Sequence, residues 1–238
     1  MFLKRRPTAL KYNKRIPELD AARGICIIGM ILIHLVYDLT ELYPVLTLNH
    51  PALFLFFKNQ GGIAFFLISG ISTTLGCHAA HRGITVFGCA LLVSAVTALT
   101  GAMPIRFGVL HCLGLCMVLW NLFHPISNVS LCILGIIFAG LGLIFRQYTV
   151  SVGWLFPLGL TTAGFVSADY FPLFPFLGYF LLGAASGRKL YPRRQTRFPR
   201  LSTQNLFLRF LCFCGRHSLW IYLLHQPVIL LFLGLIRR

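Results

Sequence analysis

The chain has 238 residues, of which 57% are hydrophobic and 11% charged. A soluble domain carries about 25% charged residues, so this composition excludes a water-covered surface and requires a polytopic membrane protein, with the lipid bilayer as its first partner. The formal charge of +16 comes from 21 Lys and Arg against 5 acids. These basic residues stand in blocks beside apolar segments, without the aromatic–basic interleaving of a strand-binding groove, so the balance points to an anionic membrane face and not to nucleic acid.

In chain order, a basic N-terminus leads into an apolar run with no small-residue cleavage site after it, which predicts an uncleaved first span. A crossing helix needs about 20 apolar residues. The expected spans are Ala22–Leu39, Gly61–Ala80, Gly83–Met103, Phe107–Phe123, Val129–Phe145, Pro172–Gly187 and Leu219–Ile236. Turn signals separate them at His81-Arg82, Pro104-Ile105-Arg106 and His124-Pro125-Ile126-Ser127-Asn128. Leu42–Phe57 holds Pro44 and Pro51 and reads as a loop followed by a short interfacial helix. Val152–Val166 is apolar but short, and is broken by Pro157 and three glycines.

Charge decides how to treat that last segment. If it does not cross, and the N-terminus is cytoplasmic, 16 basic residues fall inside and 5 outside. If it crosses, the split is 10 inside and 11 outside. The positive-inside rule selects the first arrangement. Val152–Val166 is therefore expected to be a re-entrant hairpin beside an outer cavity, with Asp169 and Tyr170 at its edge. The expected fold is an all-α polytopic membrane helix bundle of about seven transmembrane helices plus this hairpin. It forms one domain over residues 1–238, with residues 188–216 as a basic cytoplasmic loop that fixes topology and meets lipid headgroups. The expected location is a bacterial plasma membrane.

The first span carries the strongest chemical signal. Only 14 uncharged residues separate Arg23 from Asp38, too few for a free-standing span. At 100° per residue, Arg23 and His34 fall about 20° apart on the helix and about 16 Å apart along it. Asp20 and Asp38 join the same face, giving the stripe Asp20, Arg23, Ile27, Ile31, His34, Asp38. An ionisable group at membrane depth costs roughly 2.5–3.5 kcal/mol, so the stripe must face partners or a polar passage. One reading is a buried His–Asp bond that locks helices. The other is a substrate tunnel: Arg23, with Asp20, holds a phosphate-bearing ligand, and His34 acts as a base oriented by Asp38.

Arg106 and His111 flank the outer start of their span. They are candidates for acceptor binding or oxyanion stabilisation, against snorkelling and a plain helix contact. Asp169 is the only acid after Glu41 and is placed to orient an acceptor or to pair with Arg106. His225 and Gln226 precede Pro227, which frees a carbonyl near residue 223 for one of them to satisfy. Eight cysteines show no CxxC spacing and no ligand cluster, so no metal is expected.

Arg15-Ile16-Pro17-Glu18-Leu19-Asp20-Ala21-Ala22-Arg23-Gly24, followed by an apolar run to His34, resembles the opening motif of the heparan-alpha-glucosaminide N-acetyltransferase-like family of integral-membrane acyltransferases. Arg106–His111, Asp169–Leu173, Phe176–Tyr179 and Ser218–Pro227 extend the resemblance over most of the chain; Ala22 stands where the family usually has Leu. The resemblance implies a membrane enzyme that moves an acetyl group from cytoplasmic acetyl-CoA to an amino sugar or glycan acceptor on the outer side. His34 matches the family histidine, acting as a base or as an acetyl-carrying nucleophile. The alternatives are a membrane O-acetyltransferase of the related acyltransferase family and, in another class, a small-solute transporter using the stripe as a proton relay.

Overall fold

A computed structural model describes residues 15–43, 51–101, 103–198 and 205–236, without the side chains of 51, 53–55 and 57–59. Most of the basic N-terminus, Pro44, residues 199–204 and Arg237–Arg238 lie outside the described residues. Among the described residues the chain forms eight α-helices and no sheet: α1 Pro17–Tyr37, α2 Pro51–Leu75, α3 Ala79–Leu99, α4 Val109–Phe123, α5 Asn128–Phe145, α6 Leu173–Leu190, α7 Leu206–Arg216 and α8 Ser218–Ile236. A π-helical turn, Asp38–Leu42, continues α1.

Four stretches are long and apolar enough to cross a bilayer: Pro17–Leu42, Ala79–Leu99, Asn128–Phe145 and Ser218–Ile236. The shorter α4 and the glycine-rich α6 are the most thoroughly buried helices, contributing Cys112, Cys116, Phe180, Leu181 and Ala184 to the core. Protein covers them, so they need less apolar surface than helices that face lipid.

Small residues set the closest helix contacts. α6 packs between α2 and α5, and α3 packs on α4. A methyl group at Gly183 of α6 would overlap the backbone of Leu67 in α2. Gly183→Leu is expected to destabilise the protein by about 1–3 kcal/mol, the usual range for overpacking. The check is the thermal midpoint in detergent; an unchanged midpoint contradicts this packing.

The helices join two distinct ends. At one, Glu18 accepts from Thr196 and the Arg197 N–H (both 2.7 Å), and Arg188 donates to the carbonyls of His124 and Ile126. Arg15, Arg23, Arg82 and the basic segment after α6 gather there. At the other, the Phe171 N–H donates to the Phe107 carbonyl at 2.9 Å, and the start of α6 meets the end of α5.

Three expectations change. The interfacial helix expected before residue 57 is not separate. Pro51 opens a helix that runs unbroken to Leu75, because Gly61 and Gly62 stay helical, and Gly62 leaves room for the Phe171 ring. The Val152–Val166 segment does not cross, yet it is an irregular loop holding one 3₁₀ turn, Gly153–Leu158. The Val150 N–H meets the Thr161 carbonyl at 3.0 Å, so the chain turns back at the same end, and Val152 and Trp154 are exposed instead of buried in protein. The basic 188–216 segment is not all loop. Its last third is α7, capped by the Asn205 side chain on the Phe207 N–H. Leu208, Leu211 and Cys212 of α7 turn to α1, and Gly215 lets the two backbones meet at Asp20.

Candidate active site

The expected stripe on α1 faces inward. Ile27 is buried, His34 and Arg23 are half-buried, and Ile25 and Leu32 on the opposite face are exposed. Arg23 donates to the Ser72 hydroxyl of α2 at 2.6 Å and lies 3.6 Å from the Asp20 carboxylate. It also lines a cavity of about 310 Å³ between α1, α2, α3, α4 and α8. Exposed Arg82 and Thr85 stand at the basic end of this cavity, hydroxyls of Ser69, Ser72, Thr73 and Ser218 line it, and Tyr222 bounds it deeper in the bundle. That volume is at the lower end of small-molecule sites, which run about 300–1,000 Å³. The cavity lies at the basic end, whereas the sequence pointed to one edged by Asp169 and Tyr170; the loop that was to enclose that one stays at the helix ends.

His34 does not line the cavity; it stands one ring removed from it. The Tyr222 ring is 5.5 Å from the His225 ring, and His225 is 4.8 Å from His34 in an edge-to-face contact. His34 Nδ1 lies 2.9 Å from the Met30 carbonyl. A carbonyl only accepts, so Nδ1 carries a proton, and in the neutral ring Nε2 is the nitrogen with the lone pair. His225 repeats the pattern on the Tyr222 carbonyl.

Asp38 is 2% exposed. Its carboxylate takes both bonds from the Gln226 side-chain amide, at 3.1 and 2.8 Å, and not from His34. The π turn explains its aim. The Tyr43 N–H reaches back to the Asp38 carbonyl at 2.7 Å, widening the helix at this residue. The structure thus brings His34, Asp38, His225 and Gln226 into one cluster. The sequence singled out the first two as chemical; the polar His225-Gln226 pair before a proline was the available signal for the others.

The remaining candidates sit elsewhere. Asp169 accepts from the Val109 N–H at the start of α4 (2.9 Å) and from the Tyr222 hydroxyl (3.2 Å), placing a carboxylate on a helix N-terminus. Arg106 is exposed; its guanidinium lies 5.5 Å over the Phe165 ring, not on Asp169. His111 is buried, accepts from the Gly108 N–H at 3.2 Å, and has Nε2 3.4 Å from the Ser94 hydroxyl. Tyr170, outside the helices, donates to the Phe156 carbonyl at 2.7 Å, and burial pushes its phenol up to about 12, so it stays neutral. No group of three or more metal-ligating side chains forms among the described residues.

No curated protein and no solved structure matches the chain. A family described as heparan-alpha-glucosaminide N-acetyltransferase, catalytic, matches residues 15–227, nearly the whole length. The inward stripe and the helical bundle sit within that matched region, and the chain belongs to the heparan-alpha-glucosaminide N-acetyltransferase catalytic-domain family of membrane acetyltransferases.

Proposed function

We propose that the protein transfers an acetyl group from cytoplasmic acetyl-CoA to an amine or hydroxyl of a sugar or glycan precursor at the opposite face of the membrane. In this reading α1 to α6 and α8 supply seven crossings, and the basic end faces the anionic cytoplasmic leaflet. The observation that carries it is the cavity lined by Arg23 and Arg82 at the basic end, which stops at a row of rings leading to His34.

Each part of the donor has a counterpart. Arg23, kept in place by Ser72 and Asp20, and Arg82 at the rim give the phosphates a pair of cations. The cavity, of about 310 Å³ and lined by hydroxyls and apolar side chains, takes the pantetheine arm in this reading and leaves the nucleotide at the surface. To bring the thioester up to the His225–His34 pair, the arm turns the Tyr222 ring aside and breaks its bond to Asp169. His34 Nε2 then takes the proton from the acceptor as its nitrogen or oxygen attacks the acetyl carbonyl. The new C–N or C–O bond forms, the C–S bond breaks, and the departing thiolate is reprotonated. If His34 instead carries the acetyl group, CoA leaves in a burst before any acceptor is present. Arg106, whose guanidinium lies over the Phe165 ring, and His111, held between Gly108 and Ser94, are assigned no step.

Inside-out vesicles supplied with radiolabelled acetyl-CoA test the reading. Acetylated glucosamine inside the vesicles, with CoA released outside, supports it. Uptake of an intact solute without CoA release contradicts it and favours a transporter.

A further inference from the structure

Among the described residues, three buried side-chain polar atoms have no hydrogen-bond partner: Asn128 Oδ1, His225 Nε2 and Gln226 Oε1. Two of the three are adjacent in sequence and lie in the His34–Asp38 cluster. Buried polar atoms are nearly always paired, so an orphaned pair at one place calls for a reason.

His111 shows what a structural imidazole looks like in this fold: one nitrogen accepts from the Gly108 N–H and the other faces the Ser94 hydroxyl. His225 differs. Its Nδ1–H is anchored on the Tyr222 carbonyl, and its Nε2 lone pair is buried with no protein donor. The contacts from the Gln226 nitrogen to the Asp38 carboxylate put its amide oxygen on the other side. His34 Nε2 is a third acceptor. The two buried atoms left unpaired in the cluster, His225 Nε2 and Gln226 Oε1, are both acceptors, so a group bringing N–H or O–H donors completes them.

We infer that His225 and Gln226 form the acceptor-binding half of the site. His225 Nε2 and Gln226 Oε1 each accept a hydrogen bond from the incoming amine or hydroxyl group and its neighbouring hydroxyls, while His34 takes the proton. Asp38 is a positioning residue: it fixes the Gln226 amide, and the π turn holds it there. The inference rests on the acetyl-transfer reading and adds to it the side chains that hold the acceptor.

The test exploits the two ends of the imidazole. Asn at position 225 puts a donor where Nδ1–H stands and deletes Nε2; Gln puts a polar atom at the Nε2 position and gives up the Nδ1 anchor. Purified protein in detergent is assayed with labelled acetyl-CoA and glucosamine, alongside its thermal midpoint. For His225→Asn the expected result is a KM for glucosamine raised about tenfold, the loss of one buried hydrogen bond. The KM for acetyl-CoA and the thermal midpoint stay at wild-type values. His225→Gln keeps the glucosamine KM within about threefold of wild type, a difference below one hydrogen bond. The reverse pattern, a silent Asn and a damaged Gln variant, overturns the inference and makes His225 a structural residue. Equal loss of both substrates together with a lowered midpoint also overturns it. Wild-type protein that leaves acetyl-CoA untouched overturns the acetyl-transfer reading itself, and the inference with it; active wild type with unchanged variant KM values overturns the inference alone.

Discussion

His34→Asn lowers the turnover of acetyl transfer about 10³-fold, within the 10²–10⁴ range of a lost general base, while acetyl-CoA still binds. The choice of Asn matters. Its amide nitrogen stands where Nδ1–H does and keeps the 2.9 Å bond to the Met30 carbonyl, so α1 is undisturbed. What disappears is the basic Nε2 lone pair. His34→Gln fails as well, since an amide at the Nε2 position is not basic. The checks are kcat with saturating acetyl-CoA and the dissociation constant for CoA. Turnover within tenfold of wild type removes His34 from the chemistry; a lost CoA site with normal turnover places it in donor binding.

Arg23→Gln acts on the other end of the stripe. It raises the KM for acetyl-CoA about 10- to 100-fold and leaves kcat within about threefold, because a hydrogen bond to a charged group contributes about 1.5–3 kcal/mol and each 1.4 kcal/mol is a factor of ten. Gln is too short to reach the Ser72 hydroxyl, which Arg23 meets with a terminal guanidinium nitrogen at 2.6 Å, so the variant loses that bond together with the charge. Asp20, 3.6 Å from the guanidinium, is then left beside the phosphates without its counter-charge, which adds to the effect. Raising the salt concentration narrows the gap between wild type and variant by screening the same attraction. A fall in kcat at unchanged KM contradicts the assignment of Arg23 to the donor phosphates.

Much of α1 was legible before any coordinates. The 100° periodicity alone puts Asp20, Arg23, Ile27, His34 and Asp38 on one face, and that face is turned inward. What those side chains touch was not legible. Asp38 was matched to His34 because four residues separate them, but a π turn begins at Asp38 and aims it across the bundle at Gln226, 188 residues away. The polar His225-Gln226 pair was visible, yet Pro227 suggested a local use for it. His225 does serve a local carbonyl, that of Tyr222, through one nitrogen only.

Asp169 followed a similar course. As a lone late acid it stood out, placed to orient an acceptor or to pair with Arg106. Its actual partners are a backbone N–H at the start of α4 and a hydroxyl from α8, a pairing that only the packing of the helices determines. His111 lies three residues after Gly108 and reaches back to the Gly108 N–H, the pattern of a helix N-terminal box with an imidazole in place of a carboxylate; that spacing was readable. Helix α7 was missed inside the basic segment, although Leu208, Leu211 and Cys212 repeat at helical spacing amid the arginines. The cavity was not readable at all: its lining comes from five helices between Arg23 and Tyr222.

The most direct measurement is a structure of the protein with CoA bound. Phosphate density beside Arg23 and Arg82, with the pantetheine arm running past a displaced Tyr222 and the sulfur within hydrogen-bonding reach of His34, is the result expected. A CoA held only by the arginines between α6 and α7, with the five-helix cavity empty and His34 shut off behind an unmoved Tyr222, contradicts the account.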